Sequence, residues 1–188
     1  DQLKDVVKKY PKSAVALKAY LWLGDYYLKS GKFEMARKYL NDSLKDYPDS
    51  EKTDEARYLL GLTFKNERKY DAALNEFKTI LAKEKSKMAI DASLALADIL
   101  AETYKSEEAV KIYQDIVDKH PEAARDAYTK LADLYRNRGL FGKAMDAYQQ
   151  ALNLAASDTS QFSNPQIQFN LAEAIEGAKD LNRAIENY

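Results

Sequence analysis

The stretch Tyr128-Thr129-Lys130-Leu131-Ala132-Asp133-Leu134-Tyr135, followed by Arg136-Asn137-Arg138-Gly139 and then Leu140-Phe141-Gly142-Lys143-Ala144-Met145-Asp146-Ala147-Tyr148-Gln149-Gln150-Ala151, decides how the chain is read. Tyr128, Leu131, Ala132 and Tyr135 stand at the spacing of one apolar helix face. Gly139 then breaks the pattern, and a second amphipathic run begins with Phe141, Ala144 and Tyr148. Two short helices joined by a tight turn are the expected unit.

The unit recurs. Leu23-Gly24, Leu60-Gly61, Leu96-Ala97, Leu131-Ala132 and Leu171-Ala172 occupy equivalent places, and the small residues are spaced 37, 36, 35 and 40 apart. Twelve residues after each comes Ala36, Ala73, Ala109, Ala144 or Ala184. Four residues further comes Leu40, Phe77, Tyr113, Tyr148 or Tyr188. A period of this length indicates a helical solenoid. Each small residue is expected where paired helices cross, because a missing or one-carbon side chain lets the backbones approach, and the large residues fill the gaps beside it.

Composition agrees. The 188 residues include 27 Ala, 22 Leu and 14 Tyr but only 6 Gly and 4 Pro, too few of the turn formers for a sandwich or barrel. The survivors act as punctuation. Pro11, Pro48 and Pro121 end second helices, since proline lacks an amide hydrogen and disfavours helix in the residue before it. The expectation is an all-α fold of antiparallel helix pairs forming one array. Residues 1–11 end a preceding repeat, 12–48, 49–85, 86–121 and 122–156 are full repeats, and 164–188 is a truncated last one. Leu3, Val6, Val7 and Pro11 read as the end of a second helix without its first, and Tyr188 falls in the middle of another. On that reading the chain is a window on a longer array, with apolar surface at each end. The polar stretch Ala155–Pro165 reads as a long connection or local insertion.

These residues resemble the tetratricopeptide repeat, whose pattern is Trp or Tyr, Leu, Gly or Ala and Tyr in the first helix, then Ala, a large apolar residue and Ala in the second, then Pro. The fourth unit follows it almost in full. The third departs, with Ser93 and Leu100 at aromatic positions and no Gly at its turn. The resemblance implies a right-handed α-α superhelix with a concave face lined by the first helices. A narrower resemblance lies in the connections. Tyr10-Pro11-Lys12-Ser13 and Tyr47-Pro48-Asp49-Ser50 stand at the same distance before Gly24 and Gly61, and this Tyr-Pro-x-Ser link is similar to that of bacterial cell-envelope members of the family, such as the barrel-assembly lipoprotein and the Tol–Pal-associated protein. That implies the periplasm or the periplasmic face of the outer membrane, with a cytoplasmic scaffold as the alternative. Lys83-Glu84-Lys85-Ser86 lacks the Pro, and His120-Pro121-Glu122-Ala123 gives a shorter link.

Little here suggests catalysis. The chain has no cysteine and one histidine, His120, which leaves no thiol chemistry, no disulfide and no His/Cys zinc set. His120 precedes Pro121 at a helix end, where a histidine caps carbonyls. Glu107-Glu108 and Asp54-Glu55 sit at helix starts, where negative charge is favourable. Phosphate loops, GxSxG elbows and calcium loops are missing, and Asn41-Asp42-Ser43 falls inside a helix, which discounts it as a glycosylation site. No catalytic, metal or cofactor residue is assigned. With 29 basic and 30 acidic side chains, no general attraction to nucleic acid is expected, and no apolar run is long enough to span a membrane.

By the resemblance, a ligand lies along the first helices. The residues assigned to that groove are Trp22, Asp25, Tyr58, Leu62, Lys65, Leu94, Asp98, Asp133, Arg136, Phe169 and Glu173, with Leu21 and Leu28 on the same stripe. Its N-terminal half carries the large apolar groups Trp22, Tyr58, Leu62 and Leu94, and its C-terminal half repeats an acid at Asp98, Asp133 and Glu173, with Asp25 at the matching place in the first unit. Aromatic and apolar groups there are typical anchors, and a recurring acid favours a basic or amide-rich segment. The plainer reading is that Leu62 and Leu94 pack against neighbouring helices and the acids pair with Lys65, Lys130 and Arg136. Members that hold the acidic C-terminal tail of cytosolic chaperones carry Lys, Asn and Arg on this stripe. Leu21, Asp25, Leu62, Leu94 and Asp98 stand there instead, which excludes that ligand. The expected function is a non-catalytic scaffold binding a basic or apolar protein segment in a bacterial envelope assembly. The alternatives are a self-associating repeat, suggested by a net charge of +4 on residues 1–94 and −5 on 95–188, or a regulatory segment of a larger protein.

Overall fold

The computed structural model describes residues 2–157 and 165–186. Among them every regular element is a helix: α1 (Gln2–Lys9), α2 (Ala14–Lys29), α3 (Phe33–Asp46), α4 (Thr53–Asn66), α5 (Tyr70–Leu81), α6 (Ala89–Glu102), α7 (Ser106–Lys119), α8 (Ala124–Asn137), α9 (Phe141–Ser157) and α10 (Pro165–Glu186). Contacts group the chain into two compact units, residues 1–99 and 100–188.

In the first unit α2 pairs with α3 and α4 with α5, and the crossings fall where the small residues predict. A methyl group placed on Gly24 would stand 2.5 Å from Leu40 Cδ2, and one on Gly61 would stand 2.5 Å from Phe77 Cε1. Leu40 and Phe77 are wholly buried. Leu21, Leu40, Ala56 and Leu60 join α2, α3 and α4, while Phe77 and Ile80 of α5 pack with Ala92, Ala95 and Ile99 of α6. In the second unit Ala132, Ala144, Tyr148 and Ala151 form a core with Ile167 and Ala174 of α10. Gly177 of α10 lies under Phe141, whose ring would be 2.5 Å from an added methyl.

The turns obey a strict register. Gly31, Arg68, Tyr104 and Gly139 each stand seven residues after the small residue, and each has a left-handed backbone, with φ of 69°, 59°, 63° and 70°. Each second helix begins two residues later, at Phe33, Tyr70, Ser106 and Phe141. Glycine meets that conformation without strain, whereas an L side chain pays roughly 1–2 kcal/mol for it.

The Tyr-Pro-x-Ser links are held by their own side chains. Ser13 caps α2, its hydroxyl oxygen accepting from the Ala16 amide at 3.1 Å while its proton goes to the Tyr10 carbonyl at 2.7 Å. Tyr47 of the next link donates to the Ser13 carbonyl at 2.8 Å, tying one connection to the other. At the end of α7 the His120 amide donates to the Ile116 carbonyl, and its ring Nδ1 lies 3.4 Å from Glu122 Oε1.

One expectation changes. The fifth unit does not break into two helices: α10 runs unbroken through residues 178–180, where the other units turn. Consistent with that, Ala172 is exposed, whereas Gly24, Gly61, Ala97 and Ala132 are buried. Tyr188 and residues 158–164 of the expected connection lie outside the described residues.

Two substitutions test this packing. Gly61→Leu forces a side chain into the wholly buried Phe77 ring and should destabilise the first unit by about 1–3 kcal/mol; an unchanged midpoint in urea would refute the crossing. Tyr104 is 97% exposed, so Tyr104→Gly removes backbone strain and no packing. It should stabilise by about 0.5–1 kcal/mol, read as a higher melting temperature by circular dichroism, where a lowered one would show that the side chain is held by contacts.

Candidate functional site

In the first unit the assigned residues fall into two groups. Trp22 projects from α2 with 69% of its surface exposed, and Tyr26, one turn further, is 57% exposed. With Gln2, Leu3 and Lys4 of α1 and Leu23 and Tyr27 of α2 they line a cavity of about 480 Å³. The wall is ordered by aromatic contacts. Tyr26 meets Tyr27 edge-on with centroids 5.3 Å apart, Tyr27 stacks on Tyr39 at 5.6 Å, and the Lys4 ammonium sits 5.8 Å from the Tyr27 centroid. Asp25, on the same helix, accepts from Lys29 Nζ at 2.7 Å.

The second group joins α4 to α6. Lys65 Nζ meets Asp98 Oδ2 at 3.1 Å, with both side chains about four-fifths buried. Tyr58 is half-buried, its ring 5.9 Å from that of Phe77. Burial and, after it, the charges of Asp91 and Asp98 push its phenol up to about 12, so it stays neutral across the physiological range. Leu62 packs against the cores on either side of it, and Leu94 is half-buried. Neither Tyr58 nor Leu62 lines the Trp22 cavity. Leu21 and Leu28, expected on the open stripe, are buried. Leu21 packs with Leu40 and Leu60, and Leu28 with Ala36 and Tyr27, since the 16 residues of α2 carry an apolar surface wide enough to meet three neighbouring helices.

In the second unit Asp133, Arg136 and Glu173 form one network. Arg136 bonds Glu173 across to α10 and lies 3.7 Å from Asp133 Oδ1. The same carboxylate accepts from the Tyr148 hydroxyl and, at 3.2 Å, from the Asn170 amide. Burial first, and then the bond to Asp133, holds the Tyr148 phenol well above its ordinary value. Phe169 is 58% exposed on α10. Each repeated acid thus has a cation or donor beside it: Lys29 for Asp25, Lys65 for Asp98, and Arg136 for Asp133 and Glu173.

Sequence reasoning did not pick out Tyr26 or the Tyr148–Asp133 bond. Tyr26 carries a signal, its position one helical turn after Trp22. Tyr148 reads as a core residue, and it is one, but its hydroxyl reaches the neighbouring helix. Among the described residues no cluster of His, Cys, Asp and Glu could hold a metal, and no helix is long and apolar enough to cross a membrane. The arrangement comprises an open aromatic wall and two braced ionic networks.

Comparison with known proteins assigns the family. The family described as "YfiO: Outer membrane lipoprotein" matches residues 1–151. The chain belongs to the YfiO family. It is also similar to the human tetratricopeptide repeat protein 29, at 26% identity over an alignment of 190 positions that covers 91% of this chain and 39% of that protein. The chain therefore spans about two fifths of the length of the curated relatives it matches. Among solved structures, BtubC from P. vanneervenii superposes with a TM-score of 0.75 at 17% identity, covering 98% of this chain and 82% of that one. PilW, described as a widely conserved type IV pilus biogenesis factor, superposes with a TM-score of 0.71 at 18% identity, covering 94% and 77%. These two likenesses speak for the fold alone. The fold is that of tetratricopeptide-repeat proteins, and a helical-repeat scaffold for protein interaction is the activity consistent with it.

For this YfiO-family chain the buried phenol of Tyr58 makes a measurable pH signature. Its proton is held up to about 12 in the folded state against 10 when free, so the folded chain binds more protons between those values and stability falls as pH rises from 10 to 12. Tyr58→Phe should flatten that part of the alkaline limb while leaving the profile below pH 9 in shape; an unchanged alkaline slope would place the phenol in water.

Proposed function

We propose that the chain is a non-catalytic scaffold that holds a segment of a partner protein along the faces of its first helices, within an assembly at the periplasmic face of the bacterial outer membrane. The observation that carries this reading is the exposed Trp22–Tyr26 pair walling a cavity of about 480 Å³. A tryptophan two-thirds exposed beside a second open aromatic is a costly feature to leave in water, and large aromatic groups in concave surroundings supply most of the energy in many interfaces. The family description as an outer membrane lipoprotein supports the envelope setting. The repeats are taken as 12–48, 49–85, 86–121 and 122–156.

The partner's anchoring groups are apolar or aromatic. Asp98, Asp133 and Glu173 would attract a basic segment if they stood alone, but Lys65 and Arg136 already neutralise them. A basic partner must displace those cations, so charge selects the partner's register and the cavity at Trp22 supplies affinity. On this reading the working residues are Trp22, Tyr26 and Leu3 at the cavity, with Asp25, Tyr58, Leu62, Lys65, Leu94 and Asp98 continuing the surface of the first unit. Asp133, Arg136, Phe169 and Glu173 form that of the second.

A photoreactive amino acid at position 22, introduced into cells that make the chain, should give a discrete adduct with an envelope protein. One at exposed Lys38 on α3 should give none. Trp22→Ala with Tyr26→Ala should then weaken binding of that partner roughly tenfold or more with helicity unchanged. Adducts only from position 38, or undiminished binding by the double variant, would refute the assignment.

A further inference from the structure

The last helix holds two sequence halves that the other units keep apart. Counting from the small residue, every complete unit ends its first helix at the fifth residue: Lys29, Asn66, Glu102 and Asn137. It turns through a left-handed residue at the seventh and starts its second helix at the ninth. Counted from Ala172, these places are Gly177, Lys179 and Leu181. The segment Leu181-Asn182-Arg183-Ala184-Ile185-Glu186 carries a second helix's alanine at its usual place, as in Ser106-Glu107-Glu108-Ala109-Val110-Lys111. Yet α10 passes straight through Lys179. Its first half docks as a first helix should, with Ile167 and Ala174 in the core and Gly177 beneath Phe141.

The consequence is visible at Ala172. Its counterpart Ala132 is buried in one core cluster with Ala144, twelve residues later, and Tyr148, sixteen later. Ala172 is exposed, and among the described residues no second helix covers it. In a continuous helix Ala184 lies about 18 Å further along the axis from Ala172, so the chain cannot cover its own crossing. The helix that fits the Ala172 face is nonetheless written in the same chain.

We propose that the C-terminal half of α10 is the second helix of a fifth repeat and is exchanged between two copies of the chain, each covering the other's Ala172. The exchange is reciprocal, so it closes into a two-fold dimer and does not propagate. Lys179 is the hinge. The closed hairpin requires it to take a left-handed backbone, which costs an L side chain strain that the unbroken helix avoids. Gly31 and Gly139 meet the same demand without that cost.

The chain contains no cysteine, which makes the test direct. Ala172→Cys and Ala184→Cys are made as separate single variants of the full chain, mixed and oxidised mildly. Exchange predicts a disulfide-linked dimer from the mixture, well above what either variant gives alone. Lys179→Gly, placed in both variants, should reduce that yield several-fold by favouring the closed hairpin. The double variant Ala172→Cys/Ala184→Cys separates the alternatives. If it closes within one chain and the mixture gives no dimer, the segment folds back on its own crossing and exchange is overturned. If neither experiment gives a disulfide while circular dichroism shows folded protein, the Ala172 face is not covered by this helix at all, and the proposal fails.

Discussion

The structure depends on one contact: a small residue on a first helix against a large residue sixteen positions later on the second. Gly24 beneath Leu40 and Gly61 beneath Phe77 are so close that a single added carbon would overlap the partner side chain. Helices that approach this closely pack about 8–10 Å apart, and the remaining spacings follow. The chain has about five residues to finish the first helix, must reverse at once, and must enter the second helix with its alanine facing the crossing. That is why the left-handed residue comes seventh in each of the four units that turn, even when it is Arg68 or Tyr104. The tertiary contact overrides the local preference of the side chain.

Around that contact the sequence spends its polar groups on connections. Ser13, Tyr47 and Thr53 bind loop carbonyls, Tyr20 reaches Asp46 at 3.1 Å, and Arg37 pairs with Glu67 at the end of the next first helix. Glu67 is held below the usual carboxylate range: its partial burial opposes ionisation, but the bonds from Arg37 and Lys69 outweigh it. Asp54 is lowered in the same way, burial being outweighed by Lys83 and Ser86. Both contribute stability above their free values that is lost as pH falls through the lower folded ones. Within the first unit these links fasten α2 and α3 to α4, and α4 to the segment after α5, behind the surfaces of its first helices.

The helix pairs were legible because their signal is a spacing. Ala, Gly and the large residues at fixed offsets reveal a crossing without any knowledge of what surrounds it. What surrounds it was not legible. Leu21 and Leu28 share a helical stripe with Trp22 and Asp25, but the neighbouring α3 and α4 cover two of them and leave Trp22 open. The unbroken α10 was equally hidden. Arg68 and Tyr104 take a left-handed turn without glycine, so Lys179 gives no local warning that its turn is not made. The ionic networks were half legible: Lys65 and Arg136 could be named as partners, but that Tyr148 and Asn170 also converge on Asp133 depends on α8, α9 and α10 meeting.

This division bears on how a scaffold of this kind distinguishes partners. A carboxylate already paired with Arg136 and hydrogen-bonded by Tyr148 and Asn170 offers an arriving cation little net attraction, because each new contact replaces an existing one. It does make the reverse error costly, since a misplaced acid would meet Asp133 and Glu173 together. Such a surface rejects more strongly than it attracts. On the proposed reading attraction comes from groups that gain on leaving water, and on the first unit these are Trp22, Tyr26 and the cavity between α1 and α2. The tetratricopeptide packing supplies both properties from one unit, because the faces not consumed by the crossing are free to vary from repeat to repeat.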